Sequence, residues 1–259
     1  MYRDPQDRHR LARHAIDLLR IALAGRRARA AGGRCALCGL DSHRPLDLCI
    51  PCESDLPRPG RGCRQCALPL PPDALADRCG ACLRRPPQID HLHVTCSYAD
   101  PADLLVQGLK FRGELYQAEV MARLMVAAMP AALAASLRAG ALLVPAPLHP
   151  LRRWQRGFDQ AEVLAHRLGR LTGSPVVCRF LRRTRRTRAQ SGLDRRGRQH
   201  NVRGAFQARG PAPGAHLILV DDVVTTGSTL DALAGTCRRA GAERVDGWCF
   251  ARTLPGSRH

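Results

Sequence analysis

The hydrophobic pattern divides the chain into three stretches. In residues 1–34, Leu11, Ala15, Leu18 and Ala22 recur at helical spacing among many arginines, which predicts a short basic amphipathic helix. Residues 35–86 are rich in Pro and Gly and poor in large apolar side chains, so they cannot build a core of their own. From residue 87 to 259 apolar runs alternate with helical patterns. Ala141–Pro147 is an apolar run followed by a loop, and the spacing predicts an amphipathic helix over about Asp159–Leu171. Val176-Val177 opens a short strand. His216–Val220 is a near-continuous apolar strand, the kind buried on both faces of a parallel sheet. It runs into Asp221-Asp222, then a helix ending near Gly241, and Val245–Ala251 closes with another strand. Strands alternating with helices predict an α/β domain with a parallel sheet flanked by helices.

Length and composition remove several classes. With 259 residues, 45% of them hydrophobic, the chain is globular and not wholly disordered. It has no uncharged apolar stretch long enough for a transmembrane helix. The apolar segment Ala15–Ala24 is interrupted by Asp17 and Arg20, unlike the core of a signal peptide, so the expected location is the cytoplasm. Lys+Arg number 41 against 22 Asp+Glu, a net charge of +19, and Lys110 is the sole lysine. The cation excess points to an anionic partner, either nucleic acid or a polyphosphate. Residues 1–34 hold nine arginines against three aspartates and read either as a solvated helix packed on the next domain or as a contact for DNA or an acidic partner.

Twelve cysteines in a reducing compartment argue against disulfides. Eight form four C-x-x-C pairs: Cys35/Cys38, Cys49/Cys52, Cys63/Cys66 and Cys79/Cys82, with ten, ten and twelve residues between successive pairs. Two such pairs around one Zn²⁺ make a closed tetrahedral Cys₄ site, a structural staple for a segment without a core. Sequential pairing, with Cys35, Cys38, Cys49 and Cys52 on one ion and Cys63, Cys66, Cys79 and Cys82 on a second, needs the shorter loop closures; interleaved pairing is the alternative. An iron–sulfur cluster or a redox dithiol suits four evenly spaced pairs less well. Cys96, Cys178, Cys237 and Cys249 stand singly among apolar residues and read as small buried hydrophobes.

The most informative stretch is Leu217–Thr229. A buried strand ends in Asp221 and Asp222, two residues pass, and Thr225, Thr226, Gly227, Ser228 and Thr229 open a helix. Gly227 allows close backbone approach, and hydroxyls and N–H groups at a helix N-terminus bind phosphate. The acid pair would repel a bare phosphate, so the ligand should also offer hydroxyls, as a sugar phosphate does. No P-loop or dinucleotide glycine fingerprint occurs anywhere in the chain.

This stretch resembles the 5-phosphoribosyl-1-pyrophosphate (PRPP) signature of type I phosphoribosyltransferases, and the chain from Cys35 to Thr253 resembles the ComF family. The landmarks are the double zinc ribbon, Leu109–Gly113, Val144–Pro150, Arg156–Gln160, Arg183–Gln190, Asn201–Phe206 and Ala251–Thr253. Asp159 stands where the family pattern reads Asn. The resemblance implies a type I phosphoribosyltransferase fold over residues 87–259, a double zinc ribbon over 35–86 and a helical extension, residues 1–34, without a family counterpart. It implies PRPP with Mg²⁺ as ligand, the 5-phosphate on Thr225–Thr229, and the ribose on Asp221 and Asp222, which it makes the catalytic pair. Pyrophosphate falls to the loop Ala146–Gly157, with Arg152, Arg153, Arg156 and Gly157. A flexible loop over about Arg182–Arg203, including Arg183, Arg185, Thr187 and Gln190, would close on the site. That loop has nine arginines against one acid, Asp194, and reads equally as a solvated basic segment. Lys110 reads either as a pyrophosphate contact or as a surface lysine. The acceptor-selecting hood would draw on the zinc-ribbon side and on Tyr98–Arg112.

Three functions follow as expectations: phosphoribosyl transfer to an unidentified acceptor; PRPP sensing without turnover; and DNA handling, since the family is associated with natural transformation. The last would bring single-stranded DNA and other competence or DNA-processing proteins as partners. Aromatic residues at 4% are thin material for base stacking.

Overall fold

A computed structural model of the chain describes residues 33–148, 153–154, 156–184 and 204–256. Arg152, Arg185, Thr187, Gln190 and the expected N-terminal helix lie outside these residues. The elements in chain order are α1 (Ile50–Ser54), α2 (Gly80–Arg84), β1 (Leu92–Ser97), α3 (Ala102–Phe111), α4 (Leu115–Ala127), α5 (Ala131–Arg138), β2 (Leu142–Pro145), α6 (Gln160–Thr172), β3 (Leu181–Arg183), β4 (Phe206–Ala208), β5 (His216–Val224), α7 (Ser228–Arg239) and β6 (Arg244–Arg252).

Four strands form a parallel sheet in the order β1-β6-β5-β2, extended by a parallel bridge from Leu143 to Val176. Side chains alternate across it. Ile218, Val220, Trp248 and Phe250 join one buried cluster with α3, α4 and α6, while Leu217, Leu219, Val245 and Cys249 join another with α7. Burial on both faces explains why His216–Val220 reads as continuously apolar. β5 outlasts the expected strand and runs to Val224. The ladder to β6 continues through Asp221↔Cys249 and Val224↔Arg252, so the acid pair sits inside the strand. The α6 boundaries follow from its caps. Asp159 accepts the N–H groups of Ala161 and Glu162, and Gly173 ends the helix in the left-handed conformation at φ 74°.

The two N-terminal knuckle pairs repeat one hydrogen-bond plan. Cys35 N–H donates to Leu40 O at 2.7 Å and Ala36 N–H to Asp47 O at 2.8 Å; Cys63 N–H donates to Leu68 O and Arg64 N–H to Asp77 O, both at 2.8 Å. In each unit the later cysteine pair opens a one-turn helix, α1 after Cys49 and α2 after Cys79. The first unit packs Leu48 and Leu56 into the α3–α4 cluster; the second packs Ala67 into the α7 cluster. Both ribbons therefore lean on the sheet domain for apolar burial.

A separate antiparallel pair, β3–β4, joins Leu181 to Ala208 and Arg183 to Phe206. Among the described residues no single helix is long and apolar enough to cross a membrane. α4 and α5 pass that test only jointly, and they are bent by 105°.

Candidate phosphosugar site and zinc clusters

The geometry decides between the two cysteine pairings. The ligand atoms of Cys35, Cys38, Cys49 and Cys52 lie within 4.8 Å of one another, as do those of Cys63, Cys66, Cys79 and Cys82, so the pairing is sequential. Burial alone would raise the Cys35 and Cys63 thiols. Backbone N–H groups, those of Cys38 and Cys49 around Cys35 and of Cys79 and Cys66 around Cys63, instead bring them down to about 6 and about 7. Cys52 and Cys82 are pushed far up by burial and by the neighbouring sulfurs. Four thiolates this close need a cation, and the all-sulfur tetrahedral set suits Zn²⁺. Each cluster can hold one such ion.

At the carboxyl end of the sheet, β5 delivers Asp221 and Asp222, then Thr225–Gly227, then the first turn of α7. Gly227 is the N-cap of α7 with φ 81°, and as a glycine it brings no capping side chain of its own. The left-handed backbone is the reason for glycine here, since a Cβ would meet nothing within 4 Å. Thr226 Oγ1 lies 2.9 Å from Ser228 Oγ and accepts the Ser228 N–H at 3.3 Å. Arg252, buried at the end of β6, donates to the carbonyls of Val224, at 3.3 Å, and Thr225. The loop is thus tied at its root and open at its tip. It borders a cavity of about 900 Å³ whose other walls are the second cysteine cluster, through Cys66 and Cys82, and Phe206 of β4.

The acid pair does not line that cavity. Asp222 is almost wholly buried and ion-pairs with Lys110 Nζ, which arrives from the last turn of α3. Burial would raise the Asp222 carboxyl, but the Lys110 ammonium outweighs it and holds the group below the usual carboxylate range. Asp221, half-buried, is raised well above that range by desolvation and by the charge of Asp222. The Asp222 N–H donates to Asp221 Oδ1 at 2.9 Å. The two carboxyls are thus pushed in opposite directions, and the Lys110 ammonium offsets the charge on Asp222. Lys110 is therefore neither a lone surface lysine nor a free pyrophosphate contact in this conformation.

Of the arginines of the expected pyrophosphate loop, Arg153 and Arg156 lie among the described residues, and both are held by neighbours. Arg153 pairs with Glu162 at 3.1 Å. Arg156 donates to Gln160 Oε1 at 3.1 Å and stacks its guanidinium 5.4 Å from the Phe111 ring. Since Phe111 follows Lys110, the end of α3 joins this loop to the acid pair. Gly157 turns the chain at φ 78° with its N–H on Arg153 O. Asp159 Oδ2 accepts the Leu148 N–H at 2.9 Å, tying the start of the loop to α6. Arg183 lies over Phe206, 5.5 Å from the ring centroid, and Thr184 N–H donates to Ala205 O at 2.8 Å. The base of the arginine-rich segment is therefore at the rim of the cavity.

Sequence reasoning missed two members. Arg252 was legible only as part of the closing Ala251–Thr253 stretch. Cys178, expected as a buried hydrophobe, is instead half-exposed and polar in its contacts, with Sγ 3.3 Å from His166 Nε2.

No protein-family model matches the chain. DNA utilization protein YhgH of Salmonella typhimurium is 35% identical over 226 residues, spanning 86% of this chain and 98% of that protein. YhgH of Escherichia coli K12 is 37% identical over 193 residues, 74% of this chain and 84% of that one. Competence protein F of Haemophilus influenzae is 31% identical over 224 residues, 85% and 96% respectively. Among solved structures, a purine phosphoribosyltransferase from Pyrococcus horikoshii aligns with 51% of this chain and 72% of its own at 17% identity and a TM-score of 0.31. Relatives of this identity over nearly their whole length, together with the paired Cys₄ clusters and the parallel sheet, establish that the chain belongs to the ComF family, alongside competence protein F and YhgH.

Proposed function

We propose that the protein binds Mg²⁺-PRPP at the carboxyl end of β5 and transfers its phosphoribosyl group to an acceptor. The observation that carries this reading is the α7 N-terminus at Gly227, set among threonine and serine hydroxyls and preceded along β5 by the acid pair that Lys110 engages. The helix N-terminus offers backbone N–H groups and a positive dipole end to the 5-phosphate. The ribose hydroxyls are assigned to Asp221 and Asp222, on the strand that leads into the loop. Both carboxyls can accept from sugar hydroxyls, and the negative charge on Asp222 stabilises positive charge on the ring. Lys110 removes the repulsion that two bare carboxylates would exert on an anionic ligand.

Neither carboxyl stands free as a preloaded metal ligand, since Asp222 is engaged by Lys110 and Asp221 by the Asp222 N–H. This fits a magnesium ion that arrives on its substrate. When bound, it supplies charge neutralisation to the departing pyrophosphate. In the transfer, the bond from C1 to the pyrophosphate oxygen breaks through an oxocarbenium-like state, a bond from C1 to the acceptor forms, and the acceptor loses its proton. Arg152, Arg153 and Arg156 take the leaving pyrophosphate, and the segment carrying Arg183, Arg185, Thr187 and Gln190 closes from the cavity rim. The proposed division is a helical extension at 1–34, a double ribbon at 35–86 and the transferase-like domain at 87–259.

A second reading concerns DNA, on a specific observation: Phe111 and Trp154 are 72% and 79% exposed in a chain of net charge +19. In this reading single-stranded DNA runs over the basic surface, PRPP is sensed without turnover, and the protein works in the cytoplasm with other competence or DNA-processing proteins. The two readings separate by PRPP-dependent pyrophosphate release measured against a panel of bases, amines and oligonucleotides. Release with one acceptor class supports the transferase; PRPP binding without release in any arm supports sensing.

A further inference from the structure

Beyond the two Cys₄ clusters, α6 carries a third group of metal-ligand type. Glu162 and His166 are four residues apart on one helical face, and Cys178 meets them from the segment after the Val176 bridge. That meeting is fixed by backbone. Val177 N–H donates to Leu143 O at 2.8 Å, and α6 passes so close at Gly169 that a Cβ there would stand 2.5 Å from Val176 Cγ2. The ligand atoms of the three residues lie within 4.8 Å of one another, with Cys178 Sγ 3.3 Å from His166 Nε2. Bonds of about 2.0–2.3 Å to nitrogen, oxygen and sulfur on a tetrahedral ion put its donors roughly 3.2–3.8 Å apart, so only small adjustments are needed.

We propose that Glu162, His166 and Cys178 form a third divalent-metal site, with Zn²⁺ the ion its mixed donor set fits best. Sulfur, imidazole and carboxylate together select a borderline cation over Mg²⁺ or Ca²⁺. Three protein ligands leave a fourth position to water or an exogenous ligand, unlike the closed Cys₄ pairs. A nucleophilic thiol fits less well. Burial and then the Glu162 charge push Cys178 up to about 12, which keeps the sulfur protonated without a cation; a bound ion reverses that. Another candidate group, His91, His93 and Asp246, is already served: Arg244 lies 3.1 Å from His91 Nδ1 and 3.0 Å from Asp246, which also pairs with His216. The third site also touches the pyrophosphate loop, because Glu162 holds Arg153. An ion there would compete with Arg153 for the same carboxylate.

The test is metal stoichiometry on the full chain, by native mass spectrometry and elemental analysis after equilibration with Zn²⁺ and removal of excess. Wild type should carry three zinc ions. Cys178→Ser and His166→Gln should each carry two and keep the wild-type circular dichroism spectrum. A chromophoric chelator should remove one zinc from wild type at least tenfold faster than the other two, and this fast phase should be missing in both variants. Two zinc ions in the wild type, or a third that persists in Cys178→Ser and His166→Gln, would overturn the proposal.

Discussion

Lys110 and Asp222 form an ion pair in which the lysine, from the end of α3, is one-fifth exposed and the aspartate, from β5, nearly fully buried. The chain's single lysine is thus spent on the carboxylate beside the proposed sugar site. An arginine in its place would bring a planar fork, whereas an ammonium is a compact point charge. Lys110→Met should leave the Asp222 charge buried and alone. It should destabilise the protein by roughly 2–4 kcal/mol, as removal of one partner of a buried pair does. Chemical denaturation of wild type, Lys110→Met and the double variant Lys110→Met/Asp222→Asn checks this: the double variant should recover much of the loss, and equal loss in both would contradict the pairing.

Arg252 acts through the backbone. It holds the carbonyls of Val224 and Thr225, so it fixes the direction from which β5 enters the phosphate loop. Arg252→Leu should keep the sheet, whose ladders do not depend on this side chain, while raising hydrogen-exchange rates at Thr225–Ser228. Exchange measured by mass spectrometry should show protection lost in that peptide and retained in β5 and β6. Uniform loss across the sheet would make Arg252 a general core residue.

Asp159 offers a pH test. Burial pushes its carboxyl up to about 6, with the N–H groups of Leu148 and Glu162 working against that rise. The folded protein then binds this proton more tightly than the unfolded chain, whose aspartate sits near 3.9. The resulting stabilisation is full below about pH 4 and is lost as pH rises through about 6. The melting temperature of wild type minus that of Asp159→Asn should therefore fall between about pH 4 and 6 and stay level above. Zinc loss in acid affects both proteins and cancels in the difference. A difference that rises over the window would mean the carboxylate is held ionised.

The zinc ribbons should be structural. The first leans on the sheet domain through Cys35, Leu48 and Leu56, with Leu37 and Leu46 partly buried beside them, and the second through Ala67, so the metal must supply what burial does not. Cys49→Ser should lower the zinc content by one ion and reduce solubility. A variant that loses that ion yet melts like wild type would show the first cluster to be dispensable for folding.

Much of this arrangement could be read from the chain because its signals are local. The C-x-x-C spacing favoured sequential zinc pairing, since short loops close most easily. The apolar run at His216–Val220 announced a buried parallel strand because both of its faces are covered. The amphipathic spacing over about Asp159–Leu171 announced α6, which the structure caps at Asp159 and Gly173. What escaped was decided by distance in the chain. Nothing near Lys110 marks Asp222 as its partner, and nothing near Cys178 marks it as a neighbour of His166, because both pairs are made by packing of separate elements. β3 and β4 were missed because strands of three residues, with a single outward residue each at Arg182 and Gln207, are too short to show a period.

The central claim concerns the phosphate loop, and titration calorimetry with Mg²⁺ and PRPP tests it most directly. Wild type should bind with measurable heat. Gly227→Val should abolish binding, because a branched residue is strained at φ 81° and would push into the open space before the helix N-terminus. Asp222→Asn should weaken binding by about ten- to a hundredfold, the cost of roughly 1.5–3 kcal/mol for a hydrogen bond to a charged group. Asp221→Asn should weaken it less, because burial and Asp222 push that carboxyl toward its neutral form. All three variants should stay folded by circular dichroism, since these residues stand at the end of the sheet. Wild-type protein that gives no heat with Mg²⁺ and PRPP, or Gly227→Val that binds as well as wild type, would contradict the account.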